Sequence, residues 1–146
     1  MRYRLLNEPG AAESICHDVL RIDPAHQQAL VILLLALTDR FTKGYAVGVT
    51  KAEEILPRLK DQYERAYYAG IICERRAKAQ LNQGSPGSSS NAYEFLRKAM
   101  ELYEQAEKVR PAGNDDPILR WNACARMIMQ NKLGPRIEDP AEHQLE

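Results

Sequence analysis

Ala29-Leu30-Val31-Ile32-Leu33-Leu34-Leu35-Ala36-Leu37 carries no charge and no polar side chain. Asp23-Pro24 precedes this run and Thr38-Asp39-Arg40 closes it. A helix that is apolar on every side must be buried on most sides. The stretch therefore predicts a central core helix over about 25–41, covered by the rest of the chain. A membrane span needs about 20 consecutive apolar residues. This run is far shorter and is flanked by His26-Gln27-Gln28 and Asp39-Arg40. Met1-Arg2-Tyr3-Arg4 is basic, but only Leu5-Leu6 follow before Asn7-Glu8-Pro9-Gly10, so the apolar stretch of a secretion signal is missing. The expected setting is cytoplasmic, with no membrane contact.

The segments around the core run read as amphipathic helices. Residues 1–6 read as the last turns of a helix. A second helix starts at Pro9 and places Ala12, Ile15, Cys16, Val19, Leu20 and Ile22 on one apolar face. Asp23-Pro24 ends it, because the residue before proline leaves the α region, and proline then suits the first turn of the core helix. Thr42-Lys43-Gly44 is the expected stop. A segment over 45–56 holds Val49, Ala52, Ile55 and Leu56. Its Gly48 and β-branched residues predict an irregular first turn, and Pro57 ends it. A long helix over 59–82 carries Tyr63, Ala66, Tyr67, Gly70, Cys73 and Ala77 as a stripe with small residues at its middle. Gln83 to Ser90, rich in Gly and Ser, reads as a flexible loop. Asn91 is the expected cap of a helix over 91–109. Asp115 and Asp116 are the expected caps of a last helix that starts at Pro117. The expectation is an all-α domain over 1–135 with about six helices. An acidic, loosely ordered tail over 136–146 follows.

Composition narrows the chemistry. Lys plus Arg is 20 and Asp plus Glu is 20, so the basic excess of a general nucleic-acid binder is missing. Cys16, Cys73 and Cys124 are widely spaced and form no CxxC pair, which indicates neither a disulfide framework nor a metal site. Cys16 and His17 are adjacent on a helix, so their side chains diverge. His26 falls in the first turn of the core helix, where a solvated side chain is expected. Glu53, Glu54, Glu101, Glu104 and Glu107 fall on predicted solvent faces. Glu74-Arg75-Arg76 with Lys78 reads as a solvated charged face. No catalytic, cofactor or metal-binding set is expected.

Three helices end alike. Val19, Ala52 and Ala106 are each followed, after four residues, by Pro24, Pro57 and Pro111, and Ile22, Ile55 and Val109 stand two before each proline. Pro24 and Pro57 lie about one 34-residue helix–turn–helix repeat apart. Asn7 to Glu13 with Val19 to Pro24, Ala99 to Ala106 with Pro111, and Trp121-Asn122-Ala123-Cys124-Ala125 carry a resemblance to the tetratricopeptide repeat family. The middle departs from its pattern: Leu34 and Leu37 replace a glycine and a tyrosine, and Tyr45 stands where a small residue is usual. The resemblance implies a right-handed α-solenoid of antiparallel helix pairs whose first repeat is incomplete.

In such an array the first helix of each pair lines a concave groove that holds an extended or helical peptide. The resemblance thus implies partner-binding roles for Asp39, Tyr68, Arg75, Asn122 and Arg126, since Tyr and Arg are favoured interface anchors. The family's matched Lys/Asn/Arg carboxylate clamp is not reproduced, because Val31 and Leu35 occupy that side of the core helix. The expected function is a non-enzymatic protein–protein interaction module, an adaptor or scaffold. The alternative is a self-assembly domain, in which an uncapped N-terminal face with Ile15 and Val19 pairs with a second copy as a homodimer. An RNA-binding helical repeat ranks below both.

Overall fold

The computed structural model of the chain describes residues 9–42 and 45–136. Residues 1–6 and the expected stop at Lys43-Gly44 lie outside the described residues, as does all of the tail after Arg136. The described residues form six α-helices and no strand: α1 Pro9–Ile22, α2 Gln27–Thr38, α3 Tyr45–Ile55, α4 Gln62–Gln83, α5 Ser88–Lys108 and α6 Asp116–Gln130. Each helix packs on the next along the chain, and α2 also touches α4.

The apolar run is α2. Ala29, Leu30, Leu33, Leu34, Ala36 and Leu37 are buried, and Val31, Ile32 and Leu35 are partly buried. A core of Cys16, Leu20, Phe41, Val49, Ala52, Ile55 and Ile72 closes round it from α1, the turn after α2, α3 and α4. Gly48 has a packing reason. A Cβ there would sit 3.3 Å from Cδ1 of Phe41, which is fully buried. The helix α3 begins at Tyr45, without the irregular first turn expected, because that packing offsets the low helix propensity of glycine.

The prolines end helices as expected. α1 and α3 stop two residues before Pro24 and Pro57, and α5 stops three before Pro111. Leu56–Arg58 forms a 3-10 turn after α3. The first two turns are stitched together. Gln27 Nε2 donates to Arg58 O (3.2 Å), Gln27 Oε1 accepts from the Lys60 N–H (2.9 Å), and Arg58 Nη2 donates to Pro24 O (2.8 Å).

Several local expectations are corrected. The connection between α4 and α5 is short: Gly84 closes α4 in the left-handed region (φ 65°), Gly87 precedes α5 (φ 84°), and Ser88–Ser90 are helical. Ser88 is buried, and its Oγ lies 3.2 Å from that of Ser85. Gly87, not Asn91, therefore takes the cap position. Asp115 precedes α6 without a side-chain cap; instead Asn114 Oδ1 accepts from the Asp116 N–H (3.1 Å). His26 is not simply solvated. Its Nδ1 accepts from the Ala29 N–H (3.1 Å) and caps α2. Ile22 and Val109 are exposed, while Ile55, at the same repeat position, is buried.

A second core lies between α4, α5 and α6, with Ile71, Ala77, Leu96, Met100, Tyr103 and Cys124 at its centre. Leu35 and Tyr68 touch both cores.

Candidate functional site

α4 runs through the middle of the molecule, capped by Asp61 at its start and Gly84 at its end. Its charge-rich stretch Glu74-Arg75-Arg76 is not the solvated face that the sequence implies. Glu74 is 1% exposed. Its Oε1 accepts from the Tyr103 hydroxyl (2.9 Å) and lies 3.6 Å from the Cys124 thiol. Its Oε2 lies 3.4 Å from both Lys78 Nζ and Arg120 Nη2. A buried carboxylate holds its place only when its oxygens are paired in this way. Arg120 Nε is buried without a hydrogen-bond partner among the described residues.

One turn before Glu74, Gly70 makes the arrangement sterically feasible. A Cβ on Gly70 would lie 2.5 Å from Cε1 of Tyr103. At Gly70 the small-residue stripe read from the sequence makes room for one ring. Around it, Tyr67 stacks with Tyr63 (5.6 Å between centroids), tilts against Tyr103 (5.7 Å) and meets Tyr68 edge-on (5.1 Å). Asn114 Nδ2 donates to the Tyr63 hydroxyl (3.0 Å). Burial pushes the Tyr67 hydroxyl up to about 12, with Asp116 adding to it. Burial, then Glu74, drives the Tyr103 hydroxyl far above its ordinary value.

The partner-binding candidates fall into two groups. Asp39, just past α2, and Arg75 on α4 come together: Arg75 Nη1 lies 3.1 Å from Asp39 Oδ1. Their side chains remain 37% and 45% exposed, Arg75 and Asp39 respectively. Tyr68 stands seven residues before Arg75, on the same side of α4, and is partly exposed. The neighbouring Arg76 points elsewhere, stacking on Phe95 (4.3 Å) and pairing with Glu53 (3.6 Å). Asn122 and Arg126 are exposed on α6, in line with Leu119 and Met129. The exposure of the large apolar side chains Leu119 and Met129 had no signal in the local sequence. On α1, Ile15 is partly buried, Val19 packs on the first core, and Ile22 is 90% exposed.

The nucleophile candidates are muted. Cys16 and Cys124 are fully buried and Cys73 is partly so. Burial raises all three thiols, the Cys124 thiol up to about 12 with Glu74 adding to it. Cys16 points into the core, whereas His17 is exposed and pairs with Glu13 (3.6 Å). His143 lies outside the described residues. Among the described residues, no group of three His, Cys, Asp or Glu side chains is placed to hold a metal ion. No described helix is long and apolar enough to cross a membrane. No family model matches the chain, and neither a characterised protein nor a solved structure shows significant similarity to it.

Proposed function

We propose that the chain is a non-enzymatic protein–protein interaction module, an adaptor or scaffold built as a tetratricopeptide-like array of helix pairs. In this reading a peptide or partner helix lies across α2 and α4. The observation that supports it is the meeting of Asp39 and Arg75, with Tyr68 two turns back on α4. Asp39 holds the guanidinium in place through Nη1. An arginine has five N–H donors, so donors beyond the one held by Asp39 can take a partner carboxylate in paired hydrogen bonds. Tyr68, seated against both cores, offers a rigid aromatic wall beside it.

The test is peptide display on the native chain, followed by calorimetry on the selected peptide. Arg75→Ala is expected to weaken binding by about 1–2 kcal/mol, and Arg75→Glu to abolish it, with helical circular dichroism unchanged. Selected peptides that bind Arg75→Glu as tightly as the native chain would refute the reading.

One observation favours a second reading, self-assembly through α1: Ile22, in line with Ile15 and Val19, is 90% exposed. A dimer in sedimentation velocity that is lost in Ile22→Asp would support it. A monomer at every concentration would refute it.

A further inference from the structure

α2 and α4 run side by side in the same direction. Gln27, at the start of α2, accepts from the Lys60 N–H just before α4 (2.9 Å), and Asp39, just past α2, meets Arg75 on α4 (3.1 Å). On α4, Glu64, Tyr68, Ile71 and Arg75 follow one another by four, three and four positions, so they share one side of the helix. On α2, Val31, Leu35 and Asp39 recur at every fourth residue along the adjoining side. Val31, Leu35 and Tyr68 are partly buried. The strip is therefore largely apolar, with Glu64 at one end and Arg75 at the other. Glu64 and Arg75 stand eleven residues apart, roughly 16 Å along the axis of α4.

The two ends differ. Arg75 is held by Asp39. Glu64 has no such support: its Oε2 is buried without a hydrogen-bond partner among the described residues, and no described cation pairs with it. Burial, then the nearby Asp61, pushes the Glu64 carboxyl up. Buried polar atoms are almost always paired, and leaving one unpaired costs stability. Glu74, deeper on the same helix, has a hydroxyl and two cations for its two oxygens. Glu64 is only partly buried, so its missing cation can come from outside the chain.

We infer that Glu64 is a second binding residue of the α2–α4 surface, and that the partner is an amphipathic helix with an acid near its N-terminal end and a Lys or Arg eleven residues later. The acid meets Arg75, the base meets Glu64, and apolar side chains between them lie on Val31, Leu35 and Tyr68. Eleven residues of a helix span the same length as Glu64 to Arg75. The order of the charges follows from the helix dipole, which favours an acid near the N-terminus and a base near the C-terminus. With its acid on Arg75, such a helix runs antiparallel to α2 and α4. This inference rests on the α2–α4 reading above and adds to it the chemistry and the direction of the partner.

The probe is a displayed library of helical peptides. Two positions eleven residues apart are each drawn from Glu, Lys and Ala, with Leu and Ala varied on the face between them. Peptides recovered on the native chain are expected to carry Glu first and Lys second. In calorimetry, Glu64→Gln is expected to weaken such a peptide about tenfold and to leave the binding of its form with Ala in place of Lys unchanged. Arg75→Ala is expected to weaken both forms. Glu64→Lys is expected to turn the selection towards Glu at both positions. Peptides that need Arg75 but bind Glu64→Gln as tightly as the native chain overturn this inference and leave the α2–α4 reading standing. So do recovered peptides with Lys first. A helical library that yields nothing, where unrestricted display gives peptides dependent on Arg75, overturns it as well. Peptides indifferent to Arg75→Glu overturn the reading and this inference together. Should Glu64→Gln not fold, the native chain is titrated with the Lys form and a norleucine form of one peptide, and equal affinities overturn the inference.

Discussion

Around α2 the buried side chains are Leu30, Leu33, Leu34, Leu37 and Phe41, with no charge among them. Between α4, α5 and α6 the buried set includes Glu74 and Tyr103, joined by a hydrogen bond of 2.9 Å. The interior of the first core is packed from apolar side chains, and its directional contacts lie at the rim, as between Arg40 Nη1 and Glu13 Oε2 (2.7 Å). The second is also held by a buried directional contact, and that contact has one geometry. Burial of apolar area is non-directional, so α2 could pack acceptably with its neighbours slightly rotated. A hydroxyl aimed at a carboxylate across a glycine cannot shift without loss. The second core is therefore the part of the molecule whose register is fixed most tightly.

The largest expected effect separates the two cores by the kind of replacement they accept. Glu74→Ala leaves Tyr103 without its acceptor and two cations without their counter-charge, for a loss of about 3–4 kcal/mol. Leu34→Ala in the first core is expected to cost about 3 kcal/mol. Leu34→Met, which conserves volume, costs less than about 1.5 kcal/mol, whereas Glu74→Met restores nothing to the Tyr103 hydroxyl. Urea denaturation of the four variants reads the contrast, and equal tolerance of methionine at both sites would remove it. Next in size is Gly70→Ala. The added methyl meets the buried Tyr103 ring at 2.5 Å, for an expected loss of about 2 kcal/mol. The same substitution at Gly10, where a Cβ meets nothing within 4 Å, is the control.

The last prediction is a pH dependence, felt only in alkali. The Cys124 thiol is raised from 9.0 to about 12 and the Tyr67 hydroxyl from 10.0 to about 12. In both, the folded state keeps the proton that the unfolded chain releases. Their contribution is therefore complete below pH 9.0 and falls as the unfolded chain ionises, first at cysteine and then at tyrosine. The share of Cys124 and Tyr67 levels off near pH 12, where those folded groups ionise as well, while the more strongly raised Tyr103 hydroxyl continues the fall. Urea midpoints followed upward from pH 9.0 are expected to fall, and Cys124→Ala to reduce the first part of that fall. It does not abolish it, because the Cys16 and Cys73 thiols are raised too.

Much of the first core was legible in the sequence. An unbroken apolar run has one sensible place, and proline marks helix ends through local sterics. The second core was read less well. Glu74 in the run Glu74-Arg75-Arg76 looks locally like any solvated charged face. Its burial is decided by Tyr103, 29 residues away, and Cys124, 50 residues away. The stripe of small residues at Gly70 was visible, but the single ring that it admits was not. The same holds at the surface. Asp39 and Arg75 were singled out separately, and only the fold makes them a pair across 36 residues. Ile22 and Ile55 share a repeat position and a side chain type, yet one faces solvent and the other is buried by neighbouring helices.

The most direct test of the contrast between the cores is a double-mutant cycle of Tyr103→Phe and Glu74→Met, read by urea denaturation. The hydroxyl–carboxylate contact, if it organises the second core, gives a coupling energy of about 1 kcal/mol or more. Single-mutant losses that add to within about 0.5 kcal/mol would contradict it and leave the interior between α4, α5 and α6 held by shape alone, as the apolar interior around α2 is.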